Sequence, residues 1–195
     1  MLYIKFDIKD PAKFTDFQKV FDHMLKTRQP GFEFEEEDIE GPSTEEEWNR
    51  MTDREWEELK KKWREEVEPE VKRYRELIPD YANEFLESYI GFDEKKAGVF
   101  AFDTLGIFNY LEFTFEVDMD KLEKFDETSG VVEFSTGNFP FGGMERFLMT
   151  LKAFDLIPTE CYNGFIVYEF DWKNDFYHEA IDLIEKTREY KEKFR

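Results

Sequence analysis

The spacing of apolar residues changes period several times along the chain, and each period predicts an element. Between Leu2 and Ile8 the residues Leu2, Ile4, Phe6 and Ile8 alternate with Tyr3, Lys5 and Asp7, the period-two pattern of a half-buried strand. Asp10-Pro11 comes next. Aspartate can cap free N–H groups, and a proline in the first helical turn gives up no donor that the helix needs. Phe14, Phe17, Phe21 and Leu25 then recur at helical spacing up to Gln29-Pro30-Gly31, which predicts a helix between these signals.

Thr44 and Glu47 have the spacing of a capping box. Behind them Trp48, Thr52, Trp56, Leu59, Trp63 and Val67 form one helical stripe. Val71, Tyr74, Ile78, Tyr81, Phe85 and Tyr89 continue it across Pro69 and Pro79, so these prolines are expected to kink or restart helices. Residues 44–90 should therefore form a segment of two or three helices.

Residues 97–103 and 107–117 read as a hairpin about Thr104-Leu105-Gly106. Leu111, Phe113, Phe115 and Val117 would share one face, and Glu112, Thr114 and Glu116 the other. A short helix is expected over 118–125 and a strand over 130–136. A glycine-rich loop then leads into a helix carrying Phe147, Leu148, Leu151 and Phe154. Residues 164–172 alternate again as a strand, and Asn174 or Asp175 is placed to cap a last helix reaching about residue 194.

This order predicts an α+β fold in a single domain, 1–195, that includes the helical insert 44–90. The sheet is expected to be mixed and mainly antiparallel, with about five strands in ferredoxin-like order, an added helix-strand-helix and a helical cover. Such an order carries no function with it.

Composition then narrows the possibilities. The 195 residues are 41% hydrophobic and 18% aromatic, with 23 phenylalanines, so the charged fraction of 38% does not signal disorder. The formal net charge is -20, which opposes direct binding to phosphate backbones and anionic membrane surfaces. The excess is concentrated: residues 33–70 carry 17 acidic and 6 basic groups, and residues 97–172 carry 14 and 4. Such acidic surfaces either keep an aromatic-rich chain soluble or steer a basic protein partner. For the second role the expected contacts include Glu35, Glu36, Glu37 and Asp38, in an immunity-protein-like or nucleic-acid-mimic-like mode.

The loop before the predicted helix near residue 144 offers an alternative. Ser135, Thr136, Asn138, Gly142 and Gly143 lie where free N–H groups and the positive end of a helix dipole could hold an anion. The loop lacks a P-loop lysine, and Glu145 stands in the first turn, where it would already satisfy the dipole. A turn packing Phe139 and Phe141 is the simpler expectation. A third reading places Trp48, Trp56 and Trp63 in the interface of an oligomeric scaffold.

No cofactor or metal is expected. His23 and His178 fall on separate predicted helices, and neither has a metal-ligand spacing. Cys161, the sole cysteine, cannot form an intramolecular disulfide and reads as a buried, inert thiol in a cytoplasmic protein. Abundant carboxylates, among them Glu112, Glu133, Glu169 and Asp171, are expected on solvated strand faces. The amino-terminal stretch lacks an apolar signal-peptide core, and no apolar run is long enough to span a membrane.

Overall fold

The computed structural model describes residues 1–34, 44–65, 69–97, 103–115, 117–136 and 144–193. Strand β1 (Leu2–Ile8) and helix α1 (Pro11–Thr27) form as their patterns predict, and the Asp10 carboxylate accepts from the Ala12 N–H at 2.9 Å. The 44–90 stripe becomes four helices: α2 (Glu45–Arg50), α3 (Asp53–Glu65), α4 (Pro69–Leu77) and α5 (Asp80–Ala97). Thr44 and Glu47 close the expected capping box, and Pro69 opens α4, where a missing N–H is harmless.

The next two expectations are corrected. The turn and second strand of the hairpin predicted about Thr104 instead fall largely in helix α6 (Thr104–Glu112), whose first turn is capped by the Asp103 carboxylate accepting from the Gly106 N–H at 2.7 Å, while residues 98–102 of the predicted first strand lie outside the described residues. Ile107, Phe108, Leu111 and Glu112 are buried, a helical rather than alternating set. The residues expected as a helix over 118–125 form strand β2 (Asp118–Lys124), which pairs antiparallel with β3 (Ser129–Ser135). As an edge strand carrying Asp118, Asp120, Lys121, Glu123 and Lys124, β2 is protected by charge from pairing with other chains.

Helix α7 (Met144–Ala153) forms as expected. Strand β4 (Leu156–Tyr162), β5 (Val167–Trp172), β6 (His178–Asp182) and helix α8 (Ile184–Lys193) complete the chain. β4 was hidden by Pro158 and by a bulge: the register with β1 shifts between Lys5 and Phe6, so Lys5 faces Glu160 and Phe6 faces Pro158. The Trp172 indole N–H donates to the Pro158 carbonyl at 2.8 Å, and the Thr159 hydroxyl donates to the Lys5 carbonyl at 3.2 Å. The bulge thus accommodates a proline inside a central strand. Asn174 caps a turn rather than a helix, its side chain accepting from the Phe176 and Tyr177 N–H groups at 2.9 Å. A strand therefore precedes α8.

The sheet has six strands in the order β2-β3-β1-β4-β5-β6, every neighbouring pair antiparallel. β1, α1, β2, β3, α7 and β4 reproduce the ferredoxin-like order, and the addition to it is β5, β6 and α8 rather than helix-strand-helix. One sheet face packs Ile4, Phe6, Val132, Phe134 and Cys161 against α1, α4, α5, α6 and α7. The other carries a small cluster of Tyr3, Val131, Tyr162 and Val167, which Tyr190 of α8 covers. Gly130 is required where β3 crosses Phe6: a Cβ there would lie 2.8 Å from the Phe6 ring and from the Glu123 carbonyl.

Candidate functional site

The site begins with how α4, α5 and α6 are tied together. The Tyr74 hydroxyl donates to Asn83 Oδ1 at 2.5 Å and the Thr104 hydroxyl to the same oxygen at 2.9 Å. Asn109 of α6 donates to Glu70 of α4 at 3.2 Å. These bonds hold α6 beside α4 and bring the end of α6 under α1.

There Glu112 is buried, its side chain fully shielded from solvent. Arg73 of α4 makes a bidentate pair with it, Nε donating to Oε1 at 2.9 Å and an Nη to Oε2 at 3.0 Å. His23 of α1 lies 2.6 Å from the same Oε1 through Nε2. Burial on its own would raise the Glu112 carboxyl, but the hydrogen bonds from His23 and Arg73 outweigh it and hold the group below the usual carboxylate range. An ionised Glu112 only accepts, so His23 Nε2 carries a proton. That leaves Nδ1, which makes no hydrogen bond among the described residues and is not sealed from solvent. The imidazole stacks on Phe108 with centroids 6.1 Å apart, and the Arg73 guanidinium lies 4.8 Å from the Phe34 ring centroid.

Above this triad opens a cleft of about 440 Å³. α1 supplies His23 and Lys26 to it, α4 supplies Pro69, Lys72, Arg73 and Glu76, and the segment after α1 supplies Phe32, Glu33 and Phe34. Phe32 and Phe34 meet edge to face at 5.1 Å, and Phe34 continues to Phe113 at 5.0 Å. Lys26, Lys72, Glu33 and Glu76 are exposed on the walls, and none makes an ion pair among the described residues. The cleft can therefore offer a ligand ammonium groups, carboxylates, an imidazole and aromatic surface together.

Among the described residues two other charged side chains are buried. Lys152 of α7 has its ammonium 3.8 Å from the Trp172 ring centroid and donates to the Asp175 carbonyl. Burial lowers its pKa to about 8, against a smaller opposing pull from Asp175. Glu160, on the other face, accepts from the Tyr3 hydroxyl at 2.9 Å and pairs with Lys5 at 2.8 Å and with Lys186 of α8. Its burial raises the carboxyl, but those three partners outweigh it and leave the pKa lowered. Both clusters bind elements of the fold to one another.

Among the residues expected to form sites, Ser135 ends β3 opposite Asp118, and Thr136 follows it half-buried. Asn138, Gly142 and Gly143 lie outside the described residues, as do Glu35, Glu36, Glu37 and Asp38. Trp48 is exposed and meets Trp56 edge to face at 5.4 Å. Glu133 and Glu169 do share the outer sheet face, as their positions opposite Tyr3 and Glu160 require. Glu112 does not, being buried on a helix. Cys161 is free and buried, its thiol pushed up to about 12 by that burial. His178, expected on a helix, lies on β6 against Trp172, with centroids 4.8 Å apart. Among the described residues no group of three or more histidine, cysteine or carboxylate side chains is arranged to hold a metal ion, and no helix is long and apolar enough to cross a membrane.

Sequence patterns overlooked the His23–Arg73–Glu112 triad because its members come from three helices. One signal was present: Glu112 lies between Leu111 and Phe113 in a mainly apolar stretch that also holds Asn109, and a carboxylate there needs a partner if the stretch is buried. No family model matches the chain, and neither a curated protein nor a solved structure matches it.

Proposed function

We propose that the chain is a small-ligand-binding protein whose site is the cleft between α1 and α4. The observation that carries this reading is the buried Glu112, held by Arg73 and His23 directly beneath an open cleft. Burying the Glu112 carboxylate, with Arg73 and His23 partly buried against it, costs desolvation that well-packed apolar residues would avoid, and a perturbed carboxylate beneath a cleft marks a candidate site. The triad keeps Arg73 and His23 in place while leaving donors and Nδ1 for a ligand. The cleft volume falls within the range of about 300–1,000 Å³ common to small-molecule sites. An amide NMR titration of the whole chain with a panel of small polar aromatic compounds tests this. Shifts centred on residues 23–34 and 69–76 are expected, and a panel that leaves these residues unmoved would refute it.

The net charge of -20 favours a second reading, in which the acidic surface binds a basic protein partner, with Glu35, Glu36, Glu37 and Asp38 among its contacts. Capture of a defined basic partner should weaken steeply between low and moderate salt. Capture that is indifferent to salt would count against an electrostatic interface. A cytoplasmic location belongs to the same proposal, supported by the lone buried thiol of Cys161.

A further inference from the structure

Given that the cleft is a ligand site, as proposed above, we infer that its ligand is a small zwitterion: a molecule bearing one carboxylate, one ammonium and a flat apolar group, as an aromatic amino acid does. The charges on the cleft walls point to this. Lys26 and Lys72 have no ion-pair partner among the described residues, and neither do Glu33 and Glu76, although all four line the same cleft. Lys72 and Glu76 are one turn apart on α4, yet they do not pair, and lysine preceding glutamate is the weaker orientation of such a pair.

Beneath them Glu112 is fully engaged by Arg73 and His23. Its charge is not available to a ligand, whereas Arg73 keeps guanidinium N–H groups beyond the two it donates to Glu112. A bare anion would meet Lys26, Lys72 and Arg73 but would also face Glu33 and Glu76 in a chain of net charge -20. A bare cation would meet the reverse. Only a ligand carrying both signs satisfies both sets without net work against the field of the whole chain. Phe32 and Phe34 supply the flat apolar wall, which a ligand consisting of charged groups alone would leave uncovered.

The probes are L-phenylalanine, 3-phenylpropionate, which lacks the ammonium, and phenethylamine, which lacks the carboxylate. Each is titrated into the intact chain and followed by amide NMR. L-Phenylalanine is expected to bind about 5-fold or more tightly than either analogue, the scale set by one partly exposed ion pair. Lys72→Met should weaken L-phenylalanine and 3-phenylpropionate but not phenethylamine, and Glu76→Gln should weaken L-phenylalanine and phenethylamine but not 3-phenylpropionate. Both side chains are exposed, so the fold should survive either change, and the amide spectrum verifies this. Equal or tighter binding of a singly charged analogue overturns the zwitterion. So does a panel in which other compounds shift the cleft while all three probes do not, an outcome that leaves the cleft as a ligand site. If no compound of any kind shifts the cleft, both conclusions fall.

Discussion

Arg73 and Glu112 are 39 residues apart in sequence and meet through two parallel hydrogen bonds of 2.9 and 3.0 Å, with the glutamate side chain wholly buried. Removing one partner of such a pair leaves an uncompensated charge, whereas removing both does not. Arg73→Met should therefore cost about 3 kcal/mol, and adding Glu112→Leu should recover part of that loss. Urea unfolding of the wild type, the two single variants and the double variant measures the coupling. If Arg73→Met alone is neutral, the pair does not hold α4 to α6.

The same carboxylate predicts a response to acid. Glu112 is lowered in the fold, so it stabilises the native state above its unfolded pKa, about 4.3, and this contribution disappears as pH falls through the folded value. Glu112→Gln should narrow its stability deficit relative to the wild type as pH is lowered from about 6 towards 3, with both proteins followed by urea unfolding. A deficit that stays constant over this range would contradict the shift.

Lys152 should behave in the opposite sense. Its pKa falls from 10.5 to about 8 on folding, so between those values the unfolded chain binds more protons and stability contributed at this site rises with pH. Relative to Lys152→Met, the wild type should gain up to about 3 kcal/mol from pH 8 to 10.5. Comparing the two proteins at each pH cancels the growing repulsion within an acidic chain. A flat difference would mean that the ammonium is better solvated than its contact with Trp172 implies.

Gly130 lies where β3 passes Phe6. The contacts of 2.8 Å that a Cβ would make with the Phe6 ring and the Glu123 backbone force one of the strands to move. Gly130→Ala should cost about 1–3 kcal/mol, read as a lower thermal midpoint with shifted amides in β1 and β2. A variant as stable as the wild type would mean that the β1–β3 pairing has slack.

Cys161 faces the helical side of the sheet, buried, with its thiol pushed up to about 12. Thiolate is the reactive form, so a thiol reagent should label the native protein only as fast as the chain opens, and labelling should accelerate in urea in step with unfolding. Complete reaction within seconds in native buffer would place the thiol at the surface.

Local patterns decided much of this fold. Asp10-Pro11 and the phenylalanines after it specify α1, Thr44 and Glu47 specify the start of α2, and alternation from Leu2 to Ile8 specifies β1, because capping and periodic burial are properties of neighbouring residues. The α+β class was legible for the same reason, whereas the ferredoxin-like order was expected from a hairpin over 97–117 and a helix over 118–125 and is formed instead with β2, α7 and β4. Where two periods fit one stretch, neighbours in space chose between them. The run from Thr104 to Val117 is aromatic enough for a strand, yet α4 and α5 give it a helical groove in which Ile107, Phe108 and Leu111 are buried. β4 escaped detection because the bulge opposite Lys5 breaks its alternation and shelters Pro158. The cleft was beyond sequence patterns altogether. A buried carboxylate is tolerable only beside its counter-charges, and His23, Arg73 and Glu112 become neighbours only once α1, α4 and α6 have packed together.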